Sequence, residues 1–191
     1  MQAKPELRSP ISKVVTIANA FRWIGWLSLC LQVGFGIATA VTLGLAARSS
    51  PVLGEEPTPG ITIGIFWAVC GSVMLLVAIA ITARYLNTAR LLMLPDAEQH
   101  PKVGETFRTL RLATLLGLVG MAVMLIGAGS SVALLLAKAT AQLSGATNYS
   151  NPQQIIRALD LYVVAANLNG IAAHFVGTTA ALGLTDWLRK Q

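Results

Sequence analysis

Charged side chains vanish from this chain for more than twenty residues at a time, in four separate runs: 23–47, 61–83, 112–137 and 161–184. A helix that crosses a hydrocarbon core of roughly 30 Å needs about 20 apolar residues, and each run is long enough. A water-soluble helix of this length would carry a charged face at a period near 3.6, and these runs carry none. A membrane β-barrel strand would alternate in polarity over about ten residues, and these runs do not alternate. The pattern predicts an all-α membrane protein with four transmembrane helices in a single domain, 23–188. A basic N-terminal segment, 1–22, and a short tail, 189–191, flank it.

Composition agrees with the pattern. Of 191 residues, 54% are hydrophobic and 12% charged, and the mean hydropathy is +0.65. Soluble domains are about 45–50% apolar and about 25% charged, so a disordered tail is excluded and the balance favours an integral membrane protein over a soluble globule. Cys30 and Cys70 are too few for a disulfide scaffold. The first apolar run begins after Arg22 and is 25 residues long. That is too long for a signal-peptide core, so no cleavable signal is expected. The preceding 22 residues are too short, and too poor in Ser and Arg, to read as a transit peptide.

The net charge of +6 takes its meaning from placement. Eleven Lys and Arg fall before the first run, between the second and third, or after the fourth; Arg48, Lys138 and Arg157 are the three on the other side. The positive-inside rule then puts both termini in the cytoplasm. Trp23, Trp26, Tyr85 and Trp187 fall at the same interface, where aromatic belts form. The basic pI thus reflects topology, with a modest attraction to anionic lipid, and no nucleic-acid partner is expected.

The connections carry their own signals. Residues 48–60 include Pro51, Gly54, Pro57, Pro59 and Gly60 and read as an irregular turn. No breaker interrupts the chain from Arg84 to Pro95, so the second helix should continue past the membrane. Pro101 can open the third, and together they would form a cytoplasmic hairpin. Asn151-Pro152 is a helix-start signal ahead of the fourth helix. Asn148-Tyr149-Ser150 matches a glycosylation sequon, a pattern common by chance.

Lipid tails are as apolar as leucine, so membrane helices associate through close packing of small residues. Gly36, Ala40 and Gly44 form such a stripe in helix one. Ala113 with Gly117, and Gly127 with Ser131, do so in helix three. Ala166 with Gly170, and Ala173, Gly177 and Ala181, do so in helix four. Intramembrane polar side chains are costly and are functional candidates by default: Gln32 in helix one, and Asn167, Asn169 and His174 in helix four. Asn167 and His174 are seven residues apart and share a face. Gln32 and His174 both fall near the midplane, where a hydrogen bond between them is possible. His174 is the metal-ligand candidate, since imidazole suits iron, copper, nickel and zinc; Cys30, Cys70, Met74, Met121 and Met124 could add sulfur but lack motif spacing. A transient cation path fits this sparse set and a tight metal store does not. Four helices enclose little space, so conduction would favour an oligomer. No nucleophile–base pair, phosphate loop or paired carboxylates appear, and neither catalysis nor a cofactor is expected.

Several blocks together are more specific. Arg22-Trp23-Ile24-Gly25-Trp26 opens helix one, and Ala158-Leu159-Asp160-Leu161-Tyr162 leads through Asn167-Leu168-Asn169-Gly170 to His174-Phe175-Val176-Gly177 in helix four. With Gly64-Ile65-Phe66-Trp67-Ala68-Val69-Cys70-Gly71, Leu118-Val119-Gly120-Met121 and Leu135-Leu136-Ala137-Lys138, they cover about residues 20–188. This set resembles the four-helix family of cyanobacteria and chloroplasts called permease in chloroplasts, also described as the 21-kilodalton inner-envelope translocon subunit. The resemblance implies a plastid inner envelope, or a cyanobacterial plasma or thylakoid membrane. The lack of the plant form's long transit peptide favours the cyanobacterial setting. It implies either iron permeation or service as a translocon subunit, and a translocon or photosynthetic-assembly role would make this an interaction protein. Expected partners are therefore the lipid bilayer, iron ions, and further copies of the chain or a larger membrane complex. No ligand set comes with the family; Asn167, Asn169 and His174 match its fourth-helix pattern.

Overall fold

The computed structural model describes residues 10–52, 59–94, 101–145 and 154–190. Four helices account for nearly all of them: α1 (Pro10–Val52), α2 (Pro59–Leu92), α3 (Val103–Leu143) and α4 (Ala158–Arg189). Each is long and apolar enough to cross a membrane, and no strand occurs among the described residues. Their order around the bundle follows the chain. Each packs on its sequence neighbour, α4 returns to α1, and α2 meets α4 across the diagonal.

The helices outrun their charge-free cores. α1 has 43 residues and α3 has 41, or about 60 Å each at 1.5 Å per residue, twice the hydrocarbon thickness. α1 is already helical at Pro10, inside the segment set apart by its charge, and passes Arg48 to reach Val52. Residues 48–52 and 59–60 of the expected turn are thus helical, and 53–58 lie outside the described residues. α2 opens on Pro59, whose missing N–H costs nothing in a first turn, and continues to Leu92. Pro101 does not open α3. The first carbonyl of that helix is that of Lys102, which accepts from the N–H groups of Glu105 (3.0 Å) and Thr106 (3.1 Å). α4 starts at Ala158 with Arg157 extended at its N-cap; Asn151-Pro152 and the sequon at 148–150 lie outside the described residues.

The bundle core follows a seven-residue repeat that hydropathy alone conceals. In α2 the buried positions are Ile61, Gly64, Ala68, Gly71, Leu75, Ala78, Thr82, Tyr85 and Ala89. These alternate steps of three and four, the spacing of helices that coil about one another. α3 keeps the same steps from Leu110 through Ala113, Gly117, Gly120, Met124 and Gly127 to Ser131, and α1 from Ala18 through Phe21, Gly25 and Ser28 to Gln32. Small and polar residues mark the seam, and large aliphatics face outward: Leu27, Leu76, Leu125 and Leu136 are all at least 60% exposed. That inversion of a soluble bundle is what a lipid surround requires.

Two apolar plugs close the seam. At the end that carries both termini, Phe21, Tyr85, Leu110 and Leu184 pack together, with Phe21 edge-on to Tyr85 at 6.1 Å. Tyr85 is thus a core residue, not a member of an interfacial belt, while Trp23 and Trp26 do stand exposed. At the far end Ala46, Ile61, Leu159 and Val163 pack together.

The expected stripe on α1 needs correcting. Ala40 and Gly44 are exposed, and a Cβ on Gly44 would meet nothing within 4 Å. Each four-residue step overshoots a full turn by about 40°, so the line leaves the seam after Gly36, whose added Cβ would lie 3.4 Å from Leu75. The close approaches belong instead to Gly64 and Gly71 of α2, which reading for four-residue stripes missed. Gly44→Leu is expected to shift stability by less than about 0.5 kcal/mol. Gly71→Leu, forced against Met124, should cost at least about 1–3 kcal/mol. Thermal unfolding of the detergent-solubilised protein distinguishes the two, and equal effects would place the seam elsewhere.

Candidate functional site

Between the plugs the seam is polar. Asp160, Asn167 and His174 lie seven residues apart along α4, and all three are buried. Opposite them, seven-residue spacing recurs in Gly64 and Gly71 of α2 and in Gly120 and Gly127 of α3. The shared spacing builds two rungs about 10 Å apart.

In one rung Asn167 Nδ2 donates to the backbone oxygen of Gly64 at 3.2 Å and to that of Val163 at 2.9 Å. A Cβ on Gly127 would collide with Asn167 Oδ1. In the other, His174 Nε2 lies 3.2 Å from the backbone oxygen of Gly71. A carbonyl only accepts, so Nε2 carries the proton. A Cβ on Gly120 would fall on the imidazole itself. Glycine in α3 therefore makes room for the ring and the amide, while Gly64 and Gly71 of α2 make room for Ser131 and Met124 of α3. Met124, fully buried, fills the space between rungs against Gly71 and Gly170.

Gln32 is buried beside these rungs but is not bonded to His174, contrary to the expectation from depth. Its Nε2 donates to Ser28 Oγ at 2.8 Å and to Thr82 Oγ1 at 2.9 Å. The two residues are separated along the bundle: His174 pairs with Gly71, whereas Gln32 pairs with Thr82, eleven residues further along α2. Gln32 does reach α4 at Gly177, where an added Cβ would lie 3.1 Å from its amide. Thr39 ties α1 to α4 by donating to the backbone oxygen of Ala166 at 3.3 Å. Gly117 faces Thr178 in the same close manner.

Asn169 is half-buried, two positions off the seam line, and is not drawn into the site. Cys30 is exposed and Cys70 half-buried, both as free thiols, and Met74 and Met121 are half-buried. Met124 alone of the sulfur candidates enters the core. Among the described residues no three His, Cys, Asp or Glu side chains gather as a metal site. Between the plugs, among the described residues, three polar side-chain atoms have no hydrogen-bond partner: Gln32 Oε1, Asn167 Oδ1 and His174 Nδ1. All are acceptors when the ring is neutral.

The far end holds an ion cluster that joins the end of α3 to the start of α4. Lys138 Nζ lies 2.7 Å from Asp160 Oδ2, and that oxygen also accepts from the Arg157 backbone N–H at 3.1 Å. The Arg157 guanidinium stands 3.9 Å from Asp160 Oδ1. Asp160 thus caps α4 and fastens it to α3. The sequence signal was Asp160 itself, one heptad before Asn167.

Four membrane-length helices closed around a glycine-lined polar seam define a polytopic membrane bundle with buried hydrogen-bonding groups at its centre. Residues 12–189 match the family described as "Protein of unknown function (DUF3611)", and the chain belongs to that family. No curated protein and no solved structure matches.

Proposed function

We propose that this protein is a permease for a small metal cation, iron being the first to test, and that the bundle described here is its closed form. The observation that carries the reading is the set of orphaned acceptors on Gln32, Asn167 and His174 between two apolar plugs. A buried polar group without a partner costs about 1–3 kcal/mol, and water cannot relieve it inside a bilayer. Acceptors without donors are suited to a cation or its hydrating water. His174 is the metal-ligand candidate, with the Met124 thioether one layer away. Passage requires α3 or α4 to move, because Gly120 and Gly127 leave no free space beside the ring and amide. No catalytic step is involved, and a homo-oligomer would supply further walls. The family resemblance supports a cyanobacterial plasma or thylakoid membrane, or a plastid inner envelope, as its setting, and the asymmetry of Lys and Arg supports termini in the cytoplasm or stroma.

Fe²⁺ influx into liposomes containing a trapped iron-sensitive dye tests this. Flux should require the protein, exceed that of Mg²⁺, and fall several-fold in His174→Ala. Well-folded protein with no flux above empty vesicles would overturn the permease reading.

The same tight glycine packing favours a second reading, a rigid interaction protein within a translocon or a photosynthetic assembly complex. Stable co-purification of a larger membrane complex, with flux absent, would select it.

A further inference from the structure

Two arginine-lined grooves open at the end of the bundle that carries the termini, one in each helical hairpin. The groove between α1 and α2 has a volume of about 630 Å³. Two small buried residues, Ala18 of α1 and Ala89 of α2, line its floor. Arg22 and Arg90 line it together with Trp23 and Trp26. The groove between α3 and α4 is about 550 Å³ and is lined by Arg108, Arg111 and Arg189 above Leu115 and Leu182. All five arginines are exposed. No carboxylate lines either groove, and among the described residues none of the five arginines joins an ion pair. The nearest acid on α4, Asp186, is held by Lys190 at 2.6 Å.

Depth selects the ligand. Arg22 and Arg111 are the last charges before the apolar runs of α1 and α3, so both grooves sit where the hydrocarbon ends. Trp23 and Trp26 mark the same level, since indole rings prefer the headgroup layer. Towards the midplane the helices present exposed aliphatics, Val33 and Ile37 on the face of α1 that continues one groove, Leu115 and Leu182 in the other. A guanidinium binds phosphate oxygens in a bidentate fork, and basic pockets between transmembrane helices are suited to anionic lipid headgroups.

We propose that each groove seats the phosphate of an anionic phospholipid, its acyl chains lying along the neighbouring aliphatic face. The two sites are independent of whether the bundle conducts.

The test is native mass spectrometry of the full chain released from vesicles of equal phosphatidylglycerol and phosphatidylcholine with matched acyl chains. The wild type should retain about two phosphatidylglycerols and no excess of phosphatidylcholine. Arg22→Gln with Arg90→Gln should remove one, Arg108→Gln with Arg111→Gln the other, and all four together both. These side chains are exposed, and unchanged helicity in circular dichroism checks the fold. The wild-type headgroup preference needs no variant, so a folding defect cannot mask the result. Equal retention of the two lipids, or full retention by the fourfold variant, would overturn the proposal. Displacement of the lipid by inorganic phosphate would overturn it in favour of a free-anion site.

Discussion

Gly120→Ala is expected to lower the stability of the bundle by about 1–3 kcal/mol, the usual cost of forcing a methyl group into a filled core. The methyl would land on the His174 imidazole, which is held from the other side by the backbone of Gly71. The ring cannot retreat without losing that bond. Adding His174→Ala should restore much of the loss, because the space the ring leaves accepts the methyl. The interaction term of the double-mutant cycle should therefore exceed about 1 kcal/mol. Gly127→Ala and Asn167→Ala should form a second coupled pair, since Asn167 Oδ1 occupies the place of that Cβ. Pairs taken across rungs, Gly120→Ala with Asn167→Ala, should be additive at their separation of about 10 Å. Denaturant titration in mixed micelles measures all of these. Strict additivity within a rung would mean that the ring and amide do not rest on those glycines.

Asp160→Asn should be the most damaging single change outside the rungs, costing about 3–5 kcal/mol, as removal of one partner from a buried ion pair does. The pair qualifies as buried: the Lys138 and Asp160 side chains are 4% and 0% exposed. The amide would still accept from the Arg157 backbone N–H, so the helix cap survives. What is lost is the charge that faces Lys138 and the Arg157 guanidinium. Lys138→Met added to Asp160→Asn should recover part of the loss by removing the stranded ammonium, because an apolar replacement for a buried pair is often neutral. Because the pair is shielded from solvent, the wild-type midpoint should change little between low and high salt. A wild-type midpoint in Asp160→Asn would show that Lys138 finds water and that the pair does not hold α3 to α4.

The two results bear on function in different ways. The rungs occupy the middle of the seam, where orphaned acceptors lie, and variants there should alter flux as well as stability. The Lys138–Asp160 pair fastens helix ends, at the boundary of the apolar runs. Asp160→Asn should therefore affect folding, with the ion preference of surviving protein unchanged. Flux measured per folded molecule separates the two.

The sequence by itself determined the class of structure. Four charge-free runs of membrane length leave a helix as the answer, because a backbone in lipid must satisfy its own hydrogen bonds. It also marked Asn167 and His174 as neighbours on one face, since seven residues is two turns, and singled out Gln32. It did not determine which face of each helix turns inward. A chain apolar all round carries no hydropathic contrast to orient it, and the contrast that matters, small against large, was read at a spacing of four where the bundle uses three and four in alternation. That difference sent Ala40 and Gly44 to the lipid and brought Gly64 and Gly71 to the centre. Partnership was likewise a tertiary decision. Gln32 chose Thr82 over His174, and Lys138 and Asp160, 22 residues apart across a loop, became one buried pair. Such contacts depend on the axial register between helices, which is set by how glycines let backbones approach.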